Sequence, residues 1–155
     1  KEDDAGRVGD GAPSHWSTSA GHRGDTTAYA REVDDLTRVF SALHPTITVD
    51  DGVASGSFDP QSEHRGNPGW LHGGMAATVL DHLCARTASS ALGGVRVVTG
   101  TLDLRYPRPV LLADGPYRLW AEHDPARSRM VRVRGAILGP DDKPLVEAKA
   151  MFLAL

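Results

Sequence analysis

The chain has 155 residues, 40% hydrophobic and 24% charged, the make-up of a folded globular protein with a real core. A formal charge of −3 argues against bulk nucleic-acid binding. No run approaches the roughly 18 apolar residues of a membrane span, so no membrane partner is expected. The single cysteine, Cys84, excludes an internal disulfide and fits a reducing, cytoplasmic setting.

Residues 1–24 are rich in Gly, Ser, Asp and Arg, with only Val8 and Trp16 as sizeable apolar anchors. A flexible leader is expected there. The domain proper is expected over 25–155. Asp25 or Thr26 can cap a helix that runs to about Leu43. In it Val33, Leu36, Phe40 and Leu43 recur at helical spacing, with Arg31, Asp34, Asp35 and Arg38 opposite. That pattern predicts a covering helix, stopped by His44-Pro45.

Thr46 to Asp50 and Val53 to Phe58 are β-prone runs joined by Asp51-Gly52, a hairpin signal. Asp59 to Pro68 is a polar loop leading into His72-Gly73-Gly74. A long apolar run follows to about Leu92, with no proline or glycine between Met75 and Leu92. Met75, Ala76, Val79, Leu80, Leu83, Cys84, Ala88 and Leu92 go much of the way round this helix. A helix apolar on most sides is expected to be surrounded. Gly93-Gly94 ends it.

Everything after reads as antiparallel strand. Val95 to Tyr106 alternates late, with Leu102, Leu104 and Tyr106 on one face and Asp103 and Arg105 on the other. Pro107 and Pro109 break it. Pro116 to His123, Ser128 to Leu138 and Leu145 to Leu155 complete the set. Asp124-Pro125 and Gly139-Pro140-Asp141-Asp142 form the turns between them.

One carboxylate, Asp81, interrupts the apolar helix, where burying an acid is costly without a reason. The first turn of that helix offers unpaired backbone N–H groups and the positive end of the dipole. Glycines there let a carbonyl approach the backbone. The Gly73 N–H, with Gly74 beside it, can stabilise an oxyanion formed by attack on a carbonyl. Asp81 can attack directly or activate water, and the residues leave both routes open. The two lie eight positions apart, about 12 Å along a helix at ~1.5 Å per residue. One aspartate side chain does not comfortably span that. A second helix packed antiparallel brings Gly73 of one chain toward Asp81 of the other. A two-fold homodimer with two shared sites is therefore expected.

The run Asn67-Pro68-Gly69-Trp70-Leu71-His72-Gly73-Gly74 carries a family resemblance. So do Asp81 nine positions after His72, Val98-Thr99, and Leu104-Arg105-Tyr106-Pro107-Arg108-Pro109. Over about Thr46 to Leu155 the chain resembles the hotdog-fold acyl-CoA thioesterases. The similar branch holds the phenylacetate-pathway and 4-hydroxybenzoyl-CoA-type enzymes. The resemblance implies an α+β hotdog fold, a long central helix wrapped by a curved antiparallel sheet. It implies hydrolysis of an acyl-CoA thioester, with coenzyme A as part of the substrate and no separate cofactor. It implies a homodimer that can pair again into a homotetramer.

Within that resemblance Asn67 is the counterpart of the asparagine ahead of the motif, although it stands five positions before His72 where the family usually has six. Thr99 resembles a Ser/Thr near the acid that positions water or the carboxylate. His72 can either hold the turn or contact the thioester. The acyl tail is expected near Trp70, Leu71, Leu80 and Leu83. Coenzyme A carries phosphates, which arginines bind through paired donors. Arg108 and the Arg127-Ser128-Arg129 turn are the candidates. The rivals are a hotdog dehydratase acting on hydroxyacyl thioesters and a non-catalytic acyl-CoA-binding domain. The sequence contains no nucleophile elbow, dinucleotide fingerprint, phosphate loop or zinc-protease motif. One cysteine and scattered histidines give no metal site. Cys84 itself reads as a small apolar residue in a buried helix.

Overall fold

The computed structural model describes Leu43 and residues 45–155. The chain divides into Lys1–Asp35 and Leu36–Leu155, and all described residues belong to the second unit. The expected leader lies outside the described residues, as does the expected covering helix up to its last residue. That residue, Leu43, is helical and buried at 3% exposure.

The hairpin forms with β1 at Thr46–Asp50 and β2 at Val53–Phe58. Asp51 and Gly52 both take positive φ, 45° and 79°. That is the two-residue turn whose twist matches its flanking strands. The loop that follows is well tied. Ser62–His64 make one 3-10 turn. Asn67-Pro68-Gly69-Trp70 then forms a β-turn, the Trp70 N–H donating to the Asn67 carbonyl at 2.9 Å, with Gly69 at φ 80°. Proline followed by glycine suits the two central positions of such a turn.

Helix α1 spans Gly73–Ala91, so both glycines of the motif belong to its first turn rather than preceding it. At its far end Gly93 and Gly94, at φ 81° and 84°, return N–H groups to the Ser90 and Ser89 carbonyls. The four later strands are β3 at Val97–Arg105, β4 at Tyr117–His123, β5 at Met130–Leu138 and β6 at Pro144–Ala154. They form one six-stranded sheet in the order β1-β2-β4-β5-β6-β3. Every neighbouring pair is antiparallel.

The sheet is curved and open, with α1 packed against it. Ala76, Val79, Leu80, Leu83, Cys84, Thr87 and Ala88 are the buried face of α1. They meet Phe58, Leu119, Val131, Val133, Ile137 and Phe152 in one core. The Thr87 hydroxyl, buried among them, donates to the Leu83 carbonyl at 2.9 Å.

Two expectations need correcting. The helix is not surrounded by its own chain, since Ala77, Thr78, Asp81 and Ala85 are half-exposed and Gly74 is exposed. Six of the eight apolar residues expected to circle it, Ala76, Val79, Leu80, Leu83, Cys84 and Ala88, lie instead on the one buried face. Leu80 and Leu83 are fully buried toward the sheet, so they cannot line a path for an acyl tail. No helix among the described residues is long and apolar enough to cross a membrane.

Candidate active site

A cleft of ≈ 680 Å³ opens at the start of α1. Its walls include Arg65, Asn67, Trp70, Leu71, His72, Gly73, Tyr106 and Arg108. None of its lining residues is an aspartate or glutamate. Trp70 and Tyr106 stay 46% and 49% exposed there. The loop hydrogen bonds hold this wall. Leu71 N–H donates to the Val110 carbonyl at 2.8 Å, and His72 N–H to the His64 carbonyl at 2.9 Å.

His72 caps α1. Its φ and ψ of −64° and 132° are extended, and its Nδ1 accepts from the Gly74 N–H at 3.0 Å. An accepting Nδ1 places the proton of a neutral ring on Nε2. The Gly74 N–H is thereby occupied, so the two glycines are not equivalent donors. The Gly73 N–H, at the first helical position, has no intrahelical acceptor and borders the cleft. On its other side the Gly73 carbonyl accepts from the Tyr106 hydroxyl at 2.9 Å. Burial raises the Tyr106 pKa, which keeps the phenol a donor.

Asp81 lies two turns further along α1 and is half-exposed. Its Oδ1 accepts from the Thr99 hydroxyl at 2.9 Å. A bulge in β3 bears on that contact. Thr99 pairs with Phe152 but Thr101 with Met151, so Gly100 is an extra residue in the strand. The bulge shifts parity, and Thr99 shares the helix side with Leu102 and Leu104. Gly100 is tight as well, because a Cβ there would sit 2.8 Å from the Met151 methyl.

The next residue after Asp81 is also perturbed. Burial first, and the nearby Arg86 second, hold the His82 pKa below its ordinary value, while Asp81 pulls it up. Cys84 is buried under the helix, and that burial, with Asp81 adding to it, pushes its pKa up to about 12. A thiol so held is protonated and unsuited to attack.

The arginines separate. Arg108 lines the cleft, but its guanidinium is taken by Asp141 through two bonds of 2.9 and 3.0 Å. It also donates to the Lys143 and Pro144 carbonyls at 2.7 and 3.3 Å. That fork holds the Asp141 carboxyl below its usual range. Arg127 and Arg129 do not line the cleft. Arg129 donates to the Ala154 carbonyl at 2.8 Å, at the end of the sheet opposite Tyr106 along β3.

Sequence reasoning missed Tyr106 and Arg65 as site residues. Tyr106 carried a signal in its parity with Leu102 and Leu104, which aims it at the helix. Arg65 carried none. Among the described residues no three His, Cys, Asp or Glu side chains gather as a metal site.

One helix laid across a six-stranded antiparallel sheet, in this strand order, is the hotdog fold. The chain matches the family model described as Thioesterase superfamily over residues 68–142. That match spans 75 of the 155 residues, and the chain resembles the superfamily in sequence as well as in fold. A conserved protein of Pseudomonas aeruginosa is 25% identical, with a TM-score of 0.68 over 76% of this chain and 93% of that one. A phenylacetic acid degradation-related protein of Ralstonia eutropha is 23% identical, with a TM-score of 0.67 over 76% and 89%. The Escherichia coli PaaI protein, from the phenylacetic acid degradation operon, is 17% identical, with a TM-score of 0.66 over 84% and 91%.

Proposed function

We propose that this chain is an acyl-CoA thioesterase, converting RCO–S–CoA and water to RCOOH and free CoA. In this reading the thioester carbonyl sits at the Gly73 N–H, which stabilises the developing oxyanion. The Asp81 carboxylate of a partner chain drives attack, either directly or through a water it deprotonates. The thiolate leaves and takes up a proton.

The observation that carries the reading is the division of labour along α1. The open N–H at its first residue borders a cleft free of carboxylates. The acid eight positions on is oriented by Thr99 on the half-exposed face. At ~1.5 Å per residue the two are about 12 Å apart along one axis, which favours a site shared across a two-fold axis. The small residues Gly74, Ala77 and Ala85 on that face leave room for a second helix.

The test is thiol release from a panel of acyl-CoAs. Asp81→Asn should lower kcat by about 100-fold or more, the range for a lost acid–base group. Release persisting in the variant at more than a third of the native rate would sink this reading. Tight CoA binding without release in the native protein would instead support an acyl-CoA-binding domain.

A further inference from the structure

We propose that Tyr106 is a positioning residue that anchors Gly73 through its carbonyl and over its Cα, and so limits rotation of the preceding His72–Gly73 peptide, whose N–H aims into the cleft. The inference rests on the reading of Gly73 as the oxyanion donor.

Gly73 is a poor anchor for such a donor. It has no side chain, and glycine costs about 1 kcal/mol relative to alanine inside a helix. It also sits in the turn where intrahelical bonds are fewest. The second glycine adds to the looseness. The chain answers with three contacts around this turn. The His72 ring accepts from the Gly74 N–H, and the Thr78 hydroxyl donates to the Gly74 carbonyl at 2.9 Å. Both of these fix Gly74.

Gly73 is fixed differently. The Tyr106 hydroxyl donates to its carbonyl at 2.9 Å. The tyrosine ring packs over it, so that a Cβ placed on Gly73 would touch the ring at 3.7 Å. Tyr106 reaches it from just beyond the end of β3, 33 residues away in sequence. The same strand, through Thr99, holds Asp81. β3 and the residue that follows it therefore hold both Gly73, through its carbonyl, and the acid at the middle of the helix.

A hydroxyl that acts through Gly73 should matter most where charge develops on the substrate oxygen. Its removal should then fall on kcat rather than on KM. Tyr106→Phe keeps the ring contact and removes only the donor. It should lower kcat about tenfold while KM stays within about twofold of the native value. The amide order parameter of Gly73, measured by ¹⁵N relaxation, should fall from about 0.85 toward 0.6 or below. A residue that merely helps the fold stand would lower the melting temperature and leave both readouts where they were.

The outcomes separate cleanly. If Asp81→Asn abolishes hydrolysis while Tyr106→Phe keeps the native kcat and the native Gly73 order parameter, the role of Tyr106 is overturned and the functional reading stands. If the order parameter falls but the native protein hydrolyses no acyl-CoA, the positioning of Gly73 stands and the functional reading falls. Equal changes in kcat and KM, with Gly73 unmoved, also overturn the proposal.

Discussion

At the scale of single residues, the oxyanion proposal turns on one hydrogen atom. Gly73→Pro removes it with little else. Proline is favoured at the first position of a helix, where its missing N–H would have had no partner. His72 before it is already extended, at ψ 132°, as a residue preceding proline must be. The variant should keep its helix content and lose roughly 10²–10³ in kcat, the cost of one oxyanion donor. Gly73→Ala, which adds a carbon but keeps the N–H, should lose less than about tenfold. Equal losses in the two variants would mean that space at Gly73, and not its N–H, is what matters.

His82 supplies a second residue-scale prediction. Burial and Arg86 lower its pKa in the folded chain below the ordinary 6.5. Above pH 6.5 the ring is neutral in both states. Between 6.5 and the lowered value the unfolded chain takes up the proton first, so stability falls as pH falls through that window. Thermal melts of the native protein and His82→Gln from pH 7.5 to 5 should show the native advantage shrinking below 6.5. A constant or widening gap contradicts the burial-lowered ring.

At the scale of elements, the closeness of α1 to the sheet is set at Gly135 in β5. A Cβ there would lie 2.9 Å from the Cys84 sulfur and 3.5 Å from the Ala121 Cβ. Neither neighbour is the loose end of a long side chain. Gly135→Ala should therefore destabilise by about 1–3 kcal/mol, as overpacking does. Adding Cys84→Ala should recover most of it, which urea melts of the two single variants and the double would read as coupling. No recovery would place the strain in the strand rather than between helix and sheet.

What the sequence disclosed at this scale follows from what is local. The Asp51-Gly52 hairpin was legible to the residue because both turn positions require the positive φ that this pair favours. The Gly93-Gly94 stop was legible for the same reason. The Thr46–Phe58 hairpin and the four later strands fall within two residues of their expected bounds. The early part of β3 was not readable by alternation, because the Gly100 bulge reverses the parity before Leu102. The fate of Arg108 was hidden too. Its partner Asp141 comes from a turn 33 residues on, which only the completed β3–β6 pairing brings beside it. The helix was misjudged as enclosed because six of its eight apolar markers fall on one face, which leaves Ala77, Thr78, Asp81 and Ala85 half-exposed.

At the scale of the whole molecule, a helix whose second face is lined by small residues and one oriented acid is an incomplete surface in a single chain. Pairing two copies about a two-fold axis would give each site a Gly73 from one protomer and an Asp81 from the other. That arrangement makes a prediction that no single-chain site shares. Gly73→Pro and Asp81→Asn should each be inactive as homodimers. A heterodimer of the two, co-expressed with different tags and purified through both, combines a native Gly73 on the Asp81→Asn chain with a native Asp81 on the Gly73→Pro chain. One of its two sites is whole, so its rate should recover to about half that of the native dimer. If each site were built within one protomer, both sites of the heterodimer would carry a defect and no activity would return. The recovery of thiol release in the mixed species, set against silence in both parents, therefore decides whether the spacing of eight residues along α1 is bridged by a partner.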